Sequence, residues 1–408
     1  MDKKPEPDRE GKLHILIAAG GSGGHLLPAR QLGKLLQQKE ECASLFFMGS
    51  GLSSSSFFQQ KEFPFFEIAS GSLRKKNPFA FFLSSVRILQ GVVKSLSILR
   101  KERVNLVVGF GSFHSFPVLL AAKLLRLPII LFEANCVLGR VNAFFARKAK
   151  VLATQFPLQT SHNSPSFLGR VNTFFARKAK VLATQLPLQT SRNSPSLLVQ
   201  PLPWIKPEGL LSSQDAKKRF GLDPSLFTFL LFGGSQGARF LNGFFGSAAE
   251  EFKRRGMPFQ IIHLAGGPEA VQKMQEIYGR LQIQNYVCSF EKEMAAAYVA
   301  ADLVVCRSGA STLAELIFFE RPAILIPYPF AAEDHQQINA EFLAAIGGAL
   351  VIKQKEIELA SFVDCVEGML KSGSLAQMQE RICSFRKREW ASSREELASL
   401  ICKVGKDG

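Results

Sequence analysis

Arg307-Ser-Gly-Ala-Ser-Thr-Leu-Ala-Glu315 follows the apolar run Ala301-Asp-Leu-Val-Val-Cys306 and leads into Leu313 to Phe319, a segment of helical character. A strand, a tight turn at Ser308-Gly309-Ala310 and a helix leave bare backbone N–H groups at the helix start. Those amides, with the positive end of the helix dipole, suit a phosphate. Glu315 falls about one turn into the helix, within reach of a ribose diol beside that phosphate. An ordinary strand–helix turn with a surface Glu is the plain alternative on this stretch alone.

The same pattern recurs three times. Leu13 to Ala19 runs into Gly20-Gly-Ser-Gly-Gly-His25 and a helix with Leu26, Ala29 and Leu32 on one face. Val104 to Val108 runs into Gly109-Phe-Gly-Ser-Phe-His-Ser-Phe-Pro117, and Phe227 to Phe232 into Gly233-Gly-Ser-Gln-Gly-Ala238. Apolar strands alternating with helices predict an α/β protein built on parallel sheets. Such sheets gather ligands beyond the carboxyl ends of their strands. That makes candidates of His25, at a helix start, and of Glu133 and Asn135, just past strand Pro128 to Phe132. For His25 a helix-terminal surface histidine is the alternative. The expected organisation is a first domain over 12–200, a linker over 201–225, a second domain over 226–372 and a charged helical segment over 373–408.

Composition narrows the partners. Residues 1–200 carry 27 Lys+Arg against 10 Asp+Glu, and residues 201–408 carry 23 against 24, so the +16 net charge sits in the first half. A basic half suits an anionic partner. Phe dominates the aromatics, 36 against 4 Tyr and 2 Trp, and clusters in that basic half, which favours an anionic membrane surface over nucleic acid. The basic turn Arg74-Lys75-Lys76 and the Phe-rich helix from Pro78 to Leu89, with Phe79 and Phe82, form either an interfacial patch or part of the core. Seven Cys without a C-x-x-C pair point to a reducing compartment and away from a zinc site. The charged opening Met1 to Glu10 is unlike a signal peptide. No run reaches the ~18–20 apolar residues of a spanning helix.

Leu138 to Phe167 and Leu168 to Leu197 match at 26 of 30 positions. Each copy reads as a helix, a Val-Leu-Ala-Thr-Gln strand and a Pro/Ser/Asn loop. Two copies do not make a solenoid. The expectation is that one copy, the first, fills a single slot in the sheet and the other is an inserted excursion.

Taken together the motifs resemble the MurG family, the peptidoglycan N-acetylglucosaminyltransferases, from about Leu13 to the C-terminal helix. Gly20-Gly-Ser-Gly-Gly-His25 stands for that family's Gly-Gly-Thr-Gly-Gly-His; Gly233 to Ala238, Arg307 to Ala310 with Glu315, and Asp334-His-Gln-Gln-Ile-Asn-Ala340 also match. The resemblance implies a GT-B fold, two Rossmann-like domains, with UDP-GlcNAc as donor and undecaprenyl-linked MurNAc-pentapeptide as acceptor. It places the donor diphosphate on Ser235, Gln236 and Gly237, phosphate and sugar on Ala310, Ser311 and Thr312, the ribose on Glu315, and GlcNAc hydroxyls on Gln336 and Asn339. Ser22, Gly23, Gly24 and Asn135 would face the transfer site from the first domain. Gly20, Gly21, Ser112, Phe113 and Asn142 would bind the acceptor. His25 or Glu133 would be the base. The chain has no Asp-x-Asp, so neither a metal nor another cofactor is expected. The implied location is peripheral, on the cytoplasmic face of the bacterial inner membrane.

Three motifs depart from the family pattern. Its His-Glu-Gln-Asn reads Phe132-Glu-Ala-Asn135, its third-loop Gly-Tyr reads Ser112-Phe113, and its Gly-Asn-Pro-Val-Arg before the linker is replaced by Pro201-Leu-Pro-Trp-Ile205. These changes fall on the acceptor side. They leave open a UDP-sugar transferase acting on another membrane lipid, or a UDP-GlcNAc-binding protein with impaired catalysis.

Overall fold

The computed structural model describes residues 12–21, 23–55, 57–71, 77–156, 181–184, 196–198, 211–331, 334–390 and 396–406. Ser22, Arg74, Lys75 and Lys76 lie outside the described residues, as do 157–180 and 185–195 of the repeat and 199–210 before the second domain. The chain divides into two compact units, residues 1–204 with 392–408, and residues 205–391.

The first unit runs β1 (Leu13–Ala18), α1 (Gly23–Gln37), β2 (Cys42–Gly49), β3 (Phe65–Glu67), α2 (Pro78–Lys101), β4 (Leu106–Gly109), α3 (Phe116–Leu124), β5 (Ile129–Glu133), α4 (Arg140–Phe145), β6 (Val151–Thr154), β7 (Val181–Thr184) and β8 (Ser196–Leu198). Its sheet is parallel with order β3-β2-β1-β4-β5-β6-β7-β8. Alternate strand residues Leu16 and Ala18, Ile129 and Leu131 share one core face with Leu99, Val118 and Phe145 from the helices. Strand alternation and helical spacing thus converge on one apolar layer.

Helix α2 starts cleanly: Asn77 accepts from the N–H of Phe79 at 2.9 Å, and Pro78 occupies the first turn. Its inner face is small over Ser84, Gly91, Val92 and Ser95 and ends on Leu99. A Cβ at Gly91 would come within 2.1 Å of the Ala69 carbonyl oxygen and 3.0 Å of Pro117, so glycine is what admits this close approach. Its outer face exposes Phe79 (74%), Phe82 (65%), Leu89 and Val93. Core packing therefore accounts for one face of this Phe-rich helix only. Length and composition would let α2 cross a membrane, yet its small-residue face packs against α3.

The repeat corrects the single-slot expectation. Both Val-Leu-Ala-Thr strands lie in the sheet side by side, pairing Val151 with Val181, Leu152 with Leu182, Ala153 with Ala183 and Thr154 with Thr184. An open parallel sheet ends in an unpaired edge, and an edge accepts any further strand that keeps register and facing. A copied strand meets both conditions automatically. The duplication therefore lengthened the sheet, and β8 pairs on beyond it.

The second unit runs α5 (Ser213–Arg219), β9 (Thr228–Phe232), α6 (Gly234–Arg254), β10 (Gln260–Leu264), α7 (Pro268–Arg280), β11 (Asn285–Cys288), α8 (Met294–Ala300), β12 (Leu303–Cys306), α9 (Ala310–Phe318), β13 (Ala323–Leu325), α10 (His335–Ile346), β14 (Ala349–Val351), α11 (Leu359–Lys371) and α12 (Ser374–Trp390). Its sheet is parallel with order β11-β10-β9-β12-β13-β14. Phe229, Leu231, Ile261, Leu303 and Val305 build its core with Phe245, Phe252 and Val363. The C-terminal segment is not one body: α12 belongs to this unit, whereas α13 (Leu397–Lys406) packs on β1 and α1 of the first.

Excising Leu168 to Leu197 removes β7 with Ser196 and Leu197 of β8, and rejoins the chain at an equivalent point, Ser166-Phe167 standing before Leu198. The variant should still unfold cooperatively, with its melting temperature within roughly 5 °C of the parent, since 1–2 kcal/mol of edge pairing corresponds to that shift in a chain of this size. A circular-dichroism melt without a cooperative transition would show that β7 is integral rather than additive.

Candidate active site

In the second unit the strand order reverses between β9 and β12, which are direct neighbours. Helices α6 and α9 begin just past their C-terminal ends, behind Gly233 and Gly309. Neither cap residue contributes a side-chain acceptor, so two uncapped helix starts lie at the switch point of one sheet. Ser235, Gln236 and Gly237 lie in the first turn of α6, and Ala310, Ser311 and Thr312 open α9. Gly234 has φ +66°, and a Cβ there would meet nothing within 4 Å, so backbone conformation rather than crowding calls for glycine. The Ser311 hydroxyl is buried and has no partner among the described residues.

The turn between β12 and α9 is held by its own side chains. Arg307 is buried; Nη1 donates to the carbonyls of Ile326 (2.9 Å) and Pro327 (3.2 Å), and Nη2 to Gln354 Oε1 (2.6 Å). Its guanidinium lies 5.9 Å from the Phe240 ring centre and 5.5 Å from that of Tyr328. Burial lowers its pKa. Ser308 Oγ donates to the Gln336 carbonyl at 2.7 Å, and Asn339 Nδ2 to the Ser308 carbonyl at 3.1 Å. Gln336 Oε1 accepts from the N–H of Tyr328 at 2.9 Å. Asn339 is thus fully buried and ties α10 to the turn, while Gln336 is half-buried with its side-chain oxygen engaged. Glu315 accepts at Oε2 from the Tyr298 hydroxyl at 2.7 Å, and burial pushes its carboxyl up to about 7.

The first unit has the corresponding switch point between β1 and β4. Gly23, Gly24 and His25 form the first turn of α1. His25 Nδ1 lies 2.8 Å from the Phe110 carbonyl oxygen, just past β4. A carbonyl only accepts, so Nδ1 carries the proton and Nε2 is the basic nitrogen of the neutral ring. Gly20 and Gly21 lie against His114: a Cβ on Gly21, where φ is +84°, would stand 2.6 Å from the ring. His114 Nδ1 is 2.5 Å from Ser50 Oγ, and burial, then the charge of His25, lowers its pKa. Ser112 has φ +69°, and the half-exposed Phe113 ring lies tilted at 31° to that of His114, with ring centres 4.0 Å apart.

Glu133 is buried at 3% exposure, and both carboxylate oxygens are engaged. Oε1 accepts from Asn135 N (3.1 Å) and Nδ2 (3.0 Å); Oε2 accepts from Gly139 N (2.9 Å) and Asn142 Nδ2 (2.9 Å). This set ties the loop after β5 to the first turn of α4 and brings Asn135 and Asn142 together around Glu133. Two residues at these sites, His114 and Tyr298, belong to no motif. The only sequence signal for His114 is its place inside a glycine turn, and Tyr298 lies 17 residues before its partner. Among the described residues no group of three or more His, Cys, Asp and Glu is arranged to hold a metal ion.

Two family models match the chain: the glycosyltransferase family 28 N-terminal domain over residues 15–154 and its C-terminal domain over 228–393. A relative from Protochlamydia amoebophila is 36% identical over 343 residues, covering 84% of this chain and 83% of its own. One from Chlamydia pneumoniae is 29% identical over 391 residues, covering 95% and 98%. Both are named UDP-N-acetylglucosamine--N-acetylmuramyl-(pentapeptide) pyrophosphoryl-undecaprenol N-acetylglucosamine transferase. The crystal structure of Acinetobacter baumannii MurG matches with TM-score 0.67 and 24% identity, covering 97% of this chain and all of that one. A UDP-glucose: anthocyanidin 3-O-glucosyltransferase in complex with UDP matches with TM-score 0.64 and 17% identity, covering 97% and 98%. These likenesses establish the GT-B fold.

Glu133→Ala should destabilise the first unit by about 2–3 kcal/mol, because it removes an acceptor shared by two backbone amides and two side-chain amides, of which Asn142 keeps the Phe132 carbonyl at 3.0 Å. Urea unfolding followed by circular dichroism measures this. A loss under about 0.5 kcal/mol would show that the loop does not depend on the carboxylate.

Proposed function

The chain belongs to glycosyltransferase family 28, among its peptidoglycan N-acetylglucosaminyltransferases, and from that premise we infer that it moves GlcNAc from UDP-GlcNAc to the MurNAc C4 hydroxyl of undecaprenyl-pyrophosphoryl-MurNAc-pentapeptide. The observation that carries this reading is the pair of uncapped helix starts, each behind a glycine, at the β9–β12 switch point, with Glu315 about one turn along the second. The donor diphosphate lies on the first-turn amides of α6 and α9, where a phosphate oxygen also satisfies the Ser311 hydroxyl. Glu315 accepts from the ribose hydroxyls, and Gln336 and Thr312 approach the sugar.

The reaction is a single in-line displacement with inversion. The C4 oxygen of the acceptor bonds to the anomeric carbon of GlcNAc as the bond from that carbon to the UDP oxygen breaks, and UDP keeps the electron pair. Amides and dipoles already aimed at the diphosphate stabilise the departing charge without reorganising. The hydroxyl proton passes to a base. His25 suits that role, since its Nδ1–H is held by Phe110 and Nε2 is the basic nitrogen. Glu133, whose oxygens are engaged by four donors, instead fixes the loop carrying Asn135 against the start of α4, which carries Asn142, on the acceptor side. The enzyme works at the cytoplasmic face of the inner membrane, with the outer face of α2 and the preceding Arg74-Lys75-Lys76 against anionic lipid.

Purified protein given UDP-GlcNAc and the lipid-linked MurNAc acceptor should release UDP and form the disaccharide lipid. EDTA should leave the rate unchanged, since amides and dipoles serve the leaving group. UDP release only with another lipid, such as diacylglycerol, would reassign the acceptor, and binding without turnover would reduce the protein to a donor-binding one. Phe79→Glu with Phe82→Glu, or reversal of the three charges, should cut cosedimentation with anionic vesicles several-fold at ~0.15 M salt. Unchanged cosedimentation would remove this patch from the membrane contact.

A further inference from the structure

We propose that Tyr298 is a positioning residue for the donor: its hydroxyl orients Glu315 so that one carboxylate oxygen is held by the protein and the other accepts from the ribose. The inference rests on the donor reading above. Tyr298, on α8, is completely buried. Its ring stacks on Phe319, just past the end of α9, at 5.1 Å and 10°, and meets Phe232 edge-on at 6.1 Å and 89°. Phe232 is the last residue of β9, immediately before the Gly233 cap of α6. One aromatic ring is therefore wedged between the strand that feeds the first phosphate-binding helix and the helix that carries the ribose acceptor. Its hydroxyl donates to Glu315 Oε2 at 2.7 Å. A structural hydroxyl needs only some acceptor, whereas this one meets the single carboxylate that the donor site uses.

The arrangement has a chemical consequence. Burial raises the Glu315 carboxyl to about 7, and the Tyr298 hydrogen bond acts in the opposite direction, favouring the ionised form. The groups facing it are Tyr298 on α8 and the buried Cys306 thiol on β12. Helices α10 and α12 also pack on α9 and bring His335 and Arg386; Arg386 is paired with Glu320 at 2.8 Å. Ribose hydroxyls donate, so they bind the carboxylate. Donor affinity is then full above the carboxyl's pKa in the free protein and falls as pH drops through about 7. Removing the tyrosine hydroxyl moves that midpoint upward.

The test is calorimetric titration with UDP-GlcNAc, whose diphosphate, esterified at both ends, keeps its charge throughout the range, unlike UDP with its terminal phosphate. Wild type should lose roughly tenfold in affinity between about pH 8.5 and pH 6. Tyr298→Phe keeps the ring; it should bind nearly as wild type at about pH 9 but several-fold more weakly at pH 7, a displaced curve rather than a lowered one. Glu315→Gln should bind more weakly with no pH dependence, which assigns that dependence to this carboxyl. Tyr298→Phe binding that is unchanged, or weakened equally at every pH, would overturn the proposal, as would a pH dependence that persists in Glu315→Gln. If wild type binds no UDP-GlcNAc at any pH, it is the donor reading that has failed.

Discussion

A parallel sheet presents the C-terminal ends of all its strands along one edge, and each helix that follows begins there with backbone amides lacking intrahelical partners. Everything else about the two candidate sites depends on how those amides are treated. An Asp, Ser or Thr before the helix would take up one of them internally. At α6 and α9 glycine stands in that place, so the amides keep their donor capacity for a ligand. Because β9 and β12 are neighbours with helices leaving at the point where strand order reverses, the two uncapped starts are also close together.

Donor capacity is useful only if the turn keeps its shape, and most polar side chains near the sites serve that end. Arg307 is buried; carbonyl oxygens, Gln354 and two aromatic rings receive it, which fixes the turn from beneath. Asn339 does the same from α10. Glu133 organises the acceptor-side loop through four hydrogen bonds. Glu315 differs, having a single named partner on one oxygen and a carboxyl poised near neutrality. Motif membership therefore joins two kinds of residue, those that shape the site and those suited to a ligand, and geometry separates them.

The fold class was legible because its strands are apolar runs too short for helices, ended by glycine turns and alternating with segments of helical spacing. The three-residue edge strands β3 and β14 were not, since three residues cannot display a period. The repeat was legible as a duplication but not in its outcome: Val181 to Thr184 carries the pairing preferences of Val151 to Thr154, and nothing local says that the sheet edge beyond β6 is open. The glycine loops announced both sites, while Tyr298 and His114 did not appear, because their roles arise from contacts across the fold rather than from spacing.

The central claim is that backbone amides at two helix starts hold the donor diphosphate. Its most direct test is the amide NMR spectrum of the protein titrated with UDP-GlcNAc. The account predicts that the largest shifts and new exchange protection fall on the amides of residues 234–237 and 310–312, with smaller changes at Glu315. Changes confined to residues 20–25, or saturation of binding with no perturbation at either helix start, would contradict it.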